Sequence, residues 1–441
     1  MSVSQAEGLR IRGYANRQSI MPGERIGFCL SDMNGRGVAD CPLSIVRLGL
    51  HETEMLRSAA DVPAQSIPAR GWDDNGWSVS YTLEIGRDWK PGIYALRAGR
   101  EGDDTKDVFF IVRSAPRKAP AIVVQLPTTT INAYNNWGGA GLYGYNSPAG
   151  AAEIVSFNRP QQSDDAWKRG FGFAEEWNQR IKPFVQWLET AGYEADYIAG
   201  TDLHFDENLL KPYRLFVSIG HDEYWSREMR ERFDAFIAGG GNAAIFGGNT
   251  CYWQIRLERD GQSIRQICYR DAEKDPAKDA TRKTVMWRDL GEPENTSFGA
   301  GFDKGAWKGN GAPGAFVVHR PEHWVFEGTD LRTGDTFGGE TLAYETNGVD
   351  YALDAEGRAV PTGADGTPGD YLILGLAELL DWGTPGNAAM GLFTRGGTVF
   401  NAATTDWARG LANCLAPDNH LRTDCARITR NVIERLSRGK I

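Results

Sequence analysis

No apolar run in this chain of 441 residues approaches the ~18 needed to cross a membrane as a helix. Residues Met1 to Arg10 lack the basic-then-apolar layout of a secretory leader, so the expectation is a soluble, cytoplasmic protein with no membrane partner. Cysteine is sparse. The six residues at 29, 41, 251, 268, 414 and 425 are widely spaced and form no CxxC or Cys/His pattern, which argues against disulfides and a structural zinc. Basic residues are outnumbered, 48 against 58 acidic, and the net charge of −10 disfavours nucleic acid as the main partner. No Gly-x-Ser-x-Gly elbow is present, which disfavours a serine nucleophile. What is plentiful is Trp, with 14 residues, and Gly, with 53, a pairing that suits loop-rich, aromatic-lined clefts. The length allows two or three domains and a sizeable core.

Residues 1 to about 115 read as an all-β domain. Alternating runs such as Leu9–Tyr14 and Ser78–Leu83 are separated by turn signals at Met21-Pro22-Gly23, Asn34-Gly35 and Lys90-Pro91-Gly92. Gly92–Arg97 and Asp107–Val112 fit the closing strands of an immunoglobulin-like β-sandwich. Ser114–Pro120 reads as a linker, and a second domain is expected over 121–441. It opens on the continuous apolar strand Ala121–Leu126. A helix from about Pro183, a strand at Tyr193–Ile198 and a strand at Arg214–Ile219 follow. Ser226 then caps a helix over 227–238, ended by Gly239-Gly240-Gly241, before a strand at Ala243–Phe246. Strands alternating with helices predict an α/β fold, a mostly parallel sheet flanked by helices. Residues 270–315 show no clear periodicity and read as a long excursion. Further strands are expected at 315–318, 371–374 and 397–402, and a closing helix at Ala426–Leu436.

Four clusters hold more polar groups than folding needs: Thr128–Gly139, Leu142–Ser147, Gly220–Trp225 and Phe246–Thr250. In an open sheet the carboxyl ends of parallel strands are where ligands bind, and the first, third and fourth clusters follow expected strands. A hydrolase needs a proton carrier, a charge-stabilising group and an activated water. His221 suits the base, Asp222 or Glu223 an orienting or ligating carboxylate, and Asn249 an oxyanion donor. The plainer reading of His221-Asp222-Glu223 is a hydrogen-bonded surface loop, and of Tyr134 and Tyr145 simple packing.

Taken in order, Thr130-Ile131-Asn132-Ala133-Tyr134-Asn135, Leu142-Tyr143-Gly144-Tyr145-Asn146-Ser147, Gly220-His221-Asp222-Glu223-Tyr224-Trp225-Ser226 and Gly247-Gly248-Asn249-Thr250 resemble the catalytic domain of the large (β) subunit of N,N-dimethylformamidase. The resemblance implies a class I glutamine-amidotransferase-like fold behind the sandwich. It also implies an iron-dependent hydrolase of a small, formamide-type amide. A single iron, expected as Fe3+, would be held by Tyr134, Tyr145 and Glu223. The connector between the two tyrosine motifs is short here, so Tyr143 is the alternative to Tyr145. His221 matches the family's catalytic histidine, Asn249 its asparagine and Glu345 its downstream glutamate, with Glu340 and Glu378 as rivals. A homo-oligomer with a possible small partner subunit is the implied assembly. The competing expectations are a non-catalytic carbohydrate- or protein-binding member of the fold and a metal-free hydrolase using His221 with Asp222.

Overall fold

In a computed structural model, residues 8–115, 120–161, 172–261, 263–307, 314–381 and 384–438 are described. The middle of the expected linker, 116–119, and part of the 270–315 excursion, 308–313, lie outside them. Two compact units interleave along the chain. One comprises Met1–Ala115, Ile131–Ala174 and Glu258–Gln266, the other Pro116–Thr130, Glu175–Leu257 and Ile267–Ile441.

In the first unit, alternation of apolar and polar residues gives each strand one buried face. Tyr81–Glu84, Arg25–Asp32, Arg10–Ala15 and Asp104–Thr105 form one sheet. Ser19–Ile20, Val108–Val112, Gly92–Ala98, Val38–Leu48 and Glu52–Val62 form another. Phe28 and Leu30 from the one share a core with Ile45, Leu96 and Phe110 from the other, which makes a β-sandwich. Its apolar contacts replace the staples a cysteine-poor chain lacks: all six thiols are free and buried.

The second unit is built on a nine-stranded sheet. Its order is Ala195–Ala199, Ile122–Leu126, Leu215–His221, Asn242–Gly248, Gly397–Asn401, Thr384–Arg395, Leu372–Asp381, Phe316–Val318 and Thr336–Phe337. The first five strands run parallel to one another. Every pairing from Gly397–Asn401 onward is antiparallel. The expectation of a mostly parallel, glutamine-amidotransferase-like α/β sheet is therefore corrected: the sheets are mixed, and strand outweighs helix, 35% against 21%. The physical reason lies in the connections. Gly396 alone joins Thr384–Arg395 to Gly397–Asn401, and a one-residue link can only reverse the chain. Thr384–Arg395 itself escapes a sequence reading because it is rich in Pro, Gly and Ala, residues of low strand propensity.

Local signals elsewhere act as the sequence indicates. Ser226 Oγ accepts from Met229 N at 3.2 Å and starts the helix Arg227–Ala238, which buries Met229, Phe233 and Ile237. The helix Lys182–Thr190 has Pro183 in its first turn. It is preceded by a π-helical turn, Trp177–Ile181, that no sequence periodicity announces. The closing helix runs Asp424–Ser437, capped by Thr423.

Candidate active site

Two neighbouring parallel strands deliver the central side chains. His221 ends the strand Leu215–His221 and stands in register with Gly248, the last residue of Asn242–Gly248. The chain leaves both strands through glycine-dependent turns. Gly220 has φ +71°, and a Cβ there would overlap Glu176 Oε1. A Cβ on Gly248 would lie 2.6 Å from both Glu345 O and Thr405 N. Asn249, the next residue, adopts φ +45°, a conformation that Asn tolerates better than most residues. Threonines at the exit of Ile122–Leu126 secure the rim. Thr130 Oγ1 accepts from Glu223 N at 2.8 Å, and Thr129 Oγ1 donates to Tyr224 O at 2.7 Å.

His221, Glu223, Asn249 and Glu345 come together and are all buried. His221 Nε2 lies 2.8 Å from Glu345 Oε2 and 3.2 Å from Glu223 Oε2. Asn249 Nδ2 donates to Glu345 Oε2 at 3.0 Å, while its Oδ1 is buried without a partner. Of the rival glutamates, Glu340 is exposed. Glu378 is also exposed and accepts from Tyr351 Oη at 2.6 Å. Burial disfavours an imidazolium at His221, but the carboxylates of Glu345 and Glu223 outweigh it and push the pKa up to about 10.

Asp222 has a different environment. Its Oδ2 accepts from Gln125 Nε2 at 2.7 Å and Ser218 Oγ at 2.9 Å, and its Oδ1 is unpartnered. Burial raises its pKa to about 6, with those hydrogen bonds opposing only in part. The carboxylates beside the His221 ring are thus Glu345 and Glu223. A carboxyl raised from about 3.8 stabilises the fold fully below pH 3.8 and loses that contribution as pH rises through 6. Asp222→Asn keeps the acceptor and removes the charge. Metal-free protein carrying it should be more stable than wild type by roughly 3 kcal/mol at pH 8 and equal to it near pH 4. Urea midpoints at the two pH values measure this, and equal gaps at both would contradict the assignment.

The tyrosines belong to the other unit. Tyr134 closes the helix Thr128–Tyr134, is buried, and its hydroxyl donates to Tyr143 Oη at 3.2 Å. Tyr145 is 64% exposed, its ring 5.6 Å from that of Tyr143. Arg159 shapes this segment. Wholly buried, it donates to the carbonyls of Ser156, Trp137, Ala140 and Asn132 and to Asn132 Oδ1. Desolvation lowers its pKa to about 9. Phenol and carboxylate oxygens are hard donors that fit ferric iron. Among the described residues, no group of three or more His, Cys, Asp and Glu side chains is placed to hold a metal ion.

Three residues at the site were not read from the sequence: Glu176, Arg180 and Asp406. Arg180 Nη1 lies 2.7 Å from Glu176 Oε2 and its Nε 2.8 Å from Asp406 Oδ1, all buried. Glu176 Oε1 accepts from His221 N at 3.2 Å. The i,i+4 spacing of Glu176 and Arg180 was the available signal, but it is also the commonest pattern of a solvated helix pair.

A buried histidine between two carboxylates, at the exits of adjacent parallel strands, brings together groups that can exchange protons. The chain belongs to the N,N-dimethylformamidase beta subunit-like family, whose C-terminal profile matches residues 45–421. It is 20% identical over 354 residues to the N,N-dimethylformamidase beta subunit of an Alcaligenes species. That match covers 68% of this chain and 44% of the relative, so the chain spans less than half of that protein's length. A crystal structure of a Paenibacillus cycloisomaltooligosaccharide glucanotransferase complexed with cycloisomaltoheptaose is 8% identical, covering 58% of this chain and 57% of that one. Its TM-score of 0.20 is too low to indicate a shared fold. Among the described residues, no helix is long and apolar enough to cross a membrane.

Proposed function

We propose that this chain hydrolyses the C–N bond of small linear amides, with N,N-dimethylformamide as the first substrate to try. Family membership supports the reaction class, and one observation carries the mechanism: His221 Nε2 set between Glu345 and Glu223 beside Asn249. Water adds to the amide carbonyl carbon, the C–N bond breaks, and acid and amine leave. His221 takes the proton of the attacking water at Nε2 and returns it to the departing nitrogen. Glu345, 2.8 Å from that same nitrogen, stabilises the charge the ring gains. Asn249 Nδ2, which carries a second N–H beyond the one given to Glu345 and lies 3.4 Å from His221 Nε2, would donate to the developing oxyanion.

Tyr134, Glu223 and either Tyr145 or Tyr143 would hold the iron. Bound there, iron supplies Lewis acidity, polarising the carbonyl and bringing water's pKa from 15.7 toward about 7. Without a cation, the carboxylates of Glu345 and Glu223 favour the protonated form of His221. Engaging Glu223 elsewhere removes one of the two charges that hold it so and leaves Glu345 as its partner. The reading extends to a homo-oligomer, with a small partner subunit as a further expectation.

Elemental analysis of the purified chain, with Glu223→Ala and Tyr134→Phe beside it, tests the proposal. Stoichiometric iron in the wild type, lost in Glu223→Ala and weakened in Tyr134→Phe, is the expected result. Full iron in both variants removes the ligand assignment. Absence of N,N-dimethylformamide turnover by the iron-loaded chain removes the substrate assignment.

A further inference from the structure

We propose that Arg180 is the positioning residue of the His221–Glu345 pair, fixing both members from one buried guanidinium. The inference rests on the reading of His221 and Glu345 as catalytic. Toward His221 the route is Arg180 Nη1 to Glu176 Oε2, then Glu176 Oε1 to the His221 amide. Toward Glu345 there are two routes. Arg180 Nε binds Asp406 Oδ1, and the preceding residue, Thr405, grips the Glu345 carbonyl by its N at 3.0 Å and its Oγ1 at 3.2 Å. The guanidinium also lies over the ring of Tyr344, 5.1 Å from its centroid, and that ring meets His221 edge-on at 5.8 Å.

These segments are distant in sequence. Asp406 is 226 residues from Arg180 and His221 is 45 from Glu176. A planar fork with donors along two edges can hold two carboxylates in fixed directions while stacking on an aromatic face, which a lysine ammonium cannot. Arg180 sits in the π-helical turn Trp177–Ile181, and turns of that kind recur at functional sites. The glycine at 220 lets the network close, since any Cβ there would meet Glu176 Oε1 and come within 3.2 Å of Arg180 Cβ. A helix-surface ion pair would require none of this.

Arg180→Lys keeps the charge and loses the fork. In the iron-loaded chain acting on N,N-dimethylformamide, kcat should fall about 10²-fold, the scale of a displacement near 1 Å, with KM within about twofold. A second readout needs no substrate. The His221 backbone amide, observed in chain labelled with 15N-histidine, should shift and lose protection from hydrogen exchange. If Arg180→Lys does not fold, Asp406→Asn serves, because it keeps the volume, loses an ion pair to the guanidinium and does not itself touch the His221 amide, and the same amide should respond. An unchanged amide in the folded variant overturns the proposal even if no amide substrate is ever turned over. A changed amide supports it under the same circumstance. Equal loss in kcat and gain in KM with an unmoved amide also counts against it.

Discussion

Replacing His221 with alanine should lower kcat/KM for N,N-dimethylformamide hydrolysis by about 10²–10⁴-fold, the usual worth of a positioned general acid–base group. Nε2 is the atom that faces Glu345 at 2.8 Å and Glu223 at 3.2 Å, so it is the nitrogen through which a proton would pass. The side chain is 3% exposed, and bulk water cannot replace it freely. Alanine also leaves two buried carboxylates facing each other without a cation, which costs stability. His221→Gln retains a donor between them and should be the better-folded variant with the same catalytic loss. Stability against pH gives an independent signature. A histidine raised from 6.5 to about 10 contributes stability that is full below pH 6.5 and lost as pH rises toward 10. Metal-free wild type should lose that contribution over this window and His221→Ala should not. Wild-type turnover by the alanine variant would end the assignment.

Gly220→Ala should destabilise the fold by roughly 2–5 kcal/mol. An L residue at φ +71° costs about 1–2 kcal/mol, and forcing a methyl into a packed site adds about 1–3 kcal/mol. The crowding is real because the atom in the way, Glu176 Oε1, belongs to a side chain pinned by Arg180. Gly192 supplies the control. It has φ +80° with nothing within 4 Å of an added Cβ, so Gly192→Ala should cost only the conformational part. Guanidinium midpoints of the two variants measure the difference. Equal destabilisation would show that the turn at 220 yields, and that its glycine serves only the backbone.

The sequence made some of this legible. Ser226, the periodic Met229, Phe233 and Ile237, and the glycines after residue 238 gave the helix Arg227–Ala238 directly. The apolar run before His221 placed it at a strand exit, where the structure has it. Asn249 followed from the next strand in the same way. Glu345 had no such signal, since it lies outside any long regular element and was reached through motif resemblance. The antiparallel half of the sheet was missed because Thr384–Arg395 does not look like a strand. Arg180 was missed because a buried ion pair and a solvated one have the same spacing along a helix.

By itself, then, the sequence determined the caps, the turns and the polar residues waiting at the strand exits. These depend on interactions between residues a few positions apart, which patterning records. Only the tertiary structure decided that His221 faces Glu345 and Glu223 and that Asp222 is bound by Gln125 and Ser218. It alone placed Arg180 between Glu176 and Asp406. Those partners are set by which segments the sheet brings side by side, and the charge on a buried histidine follows from its neighbours in space.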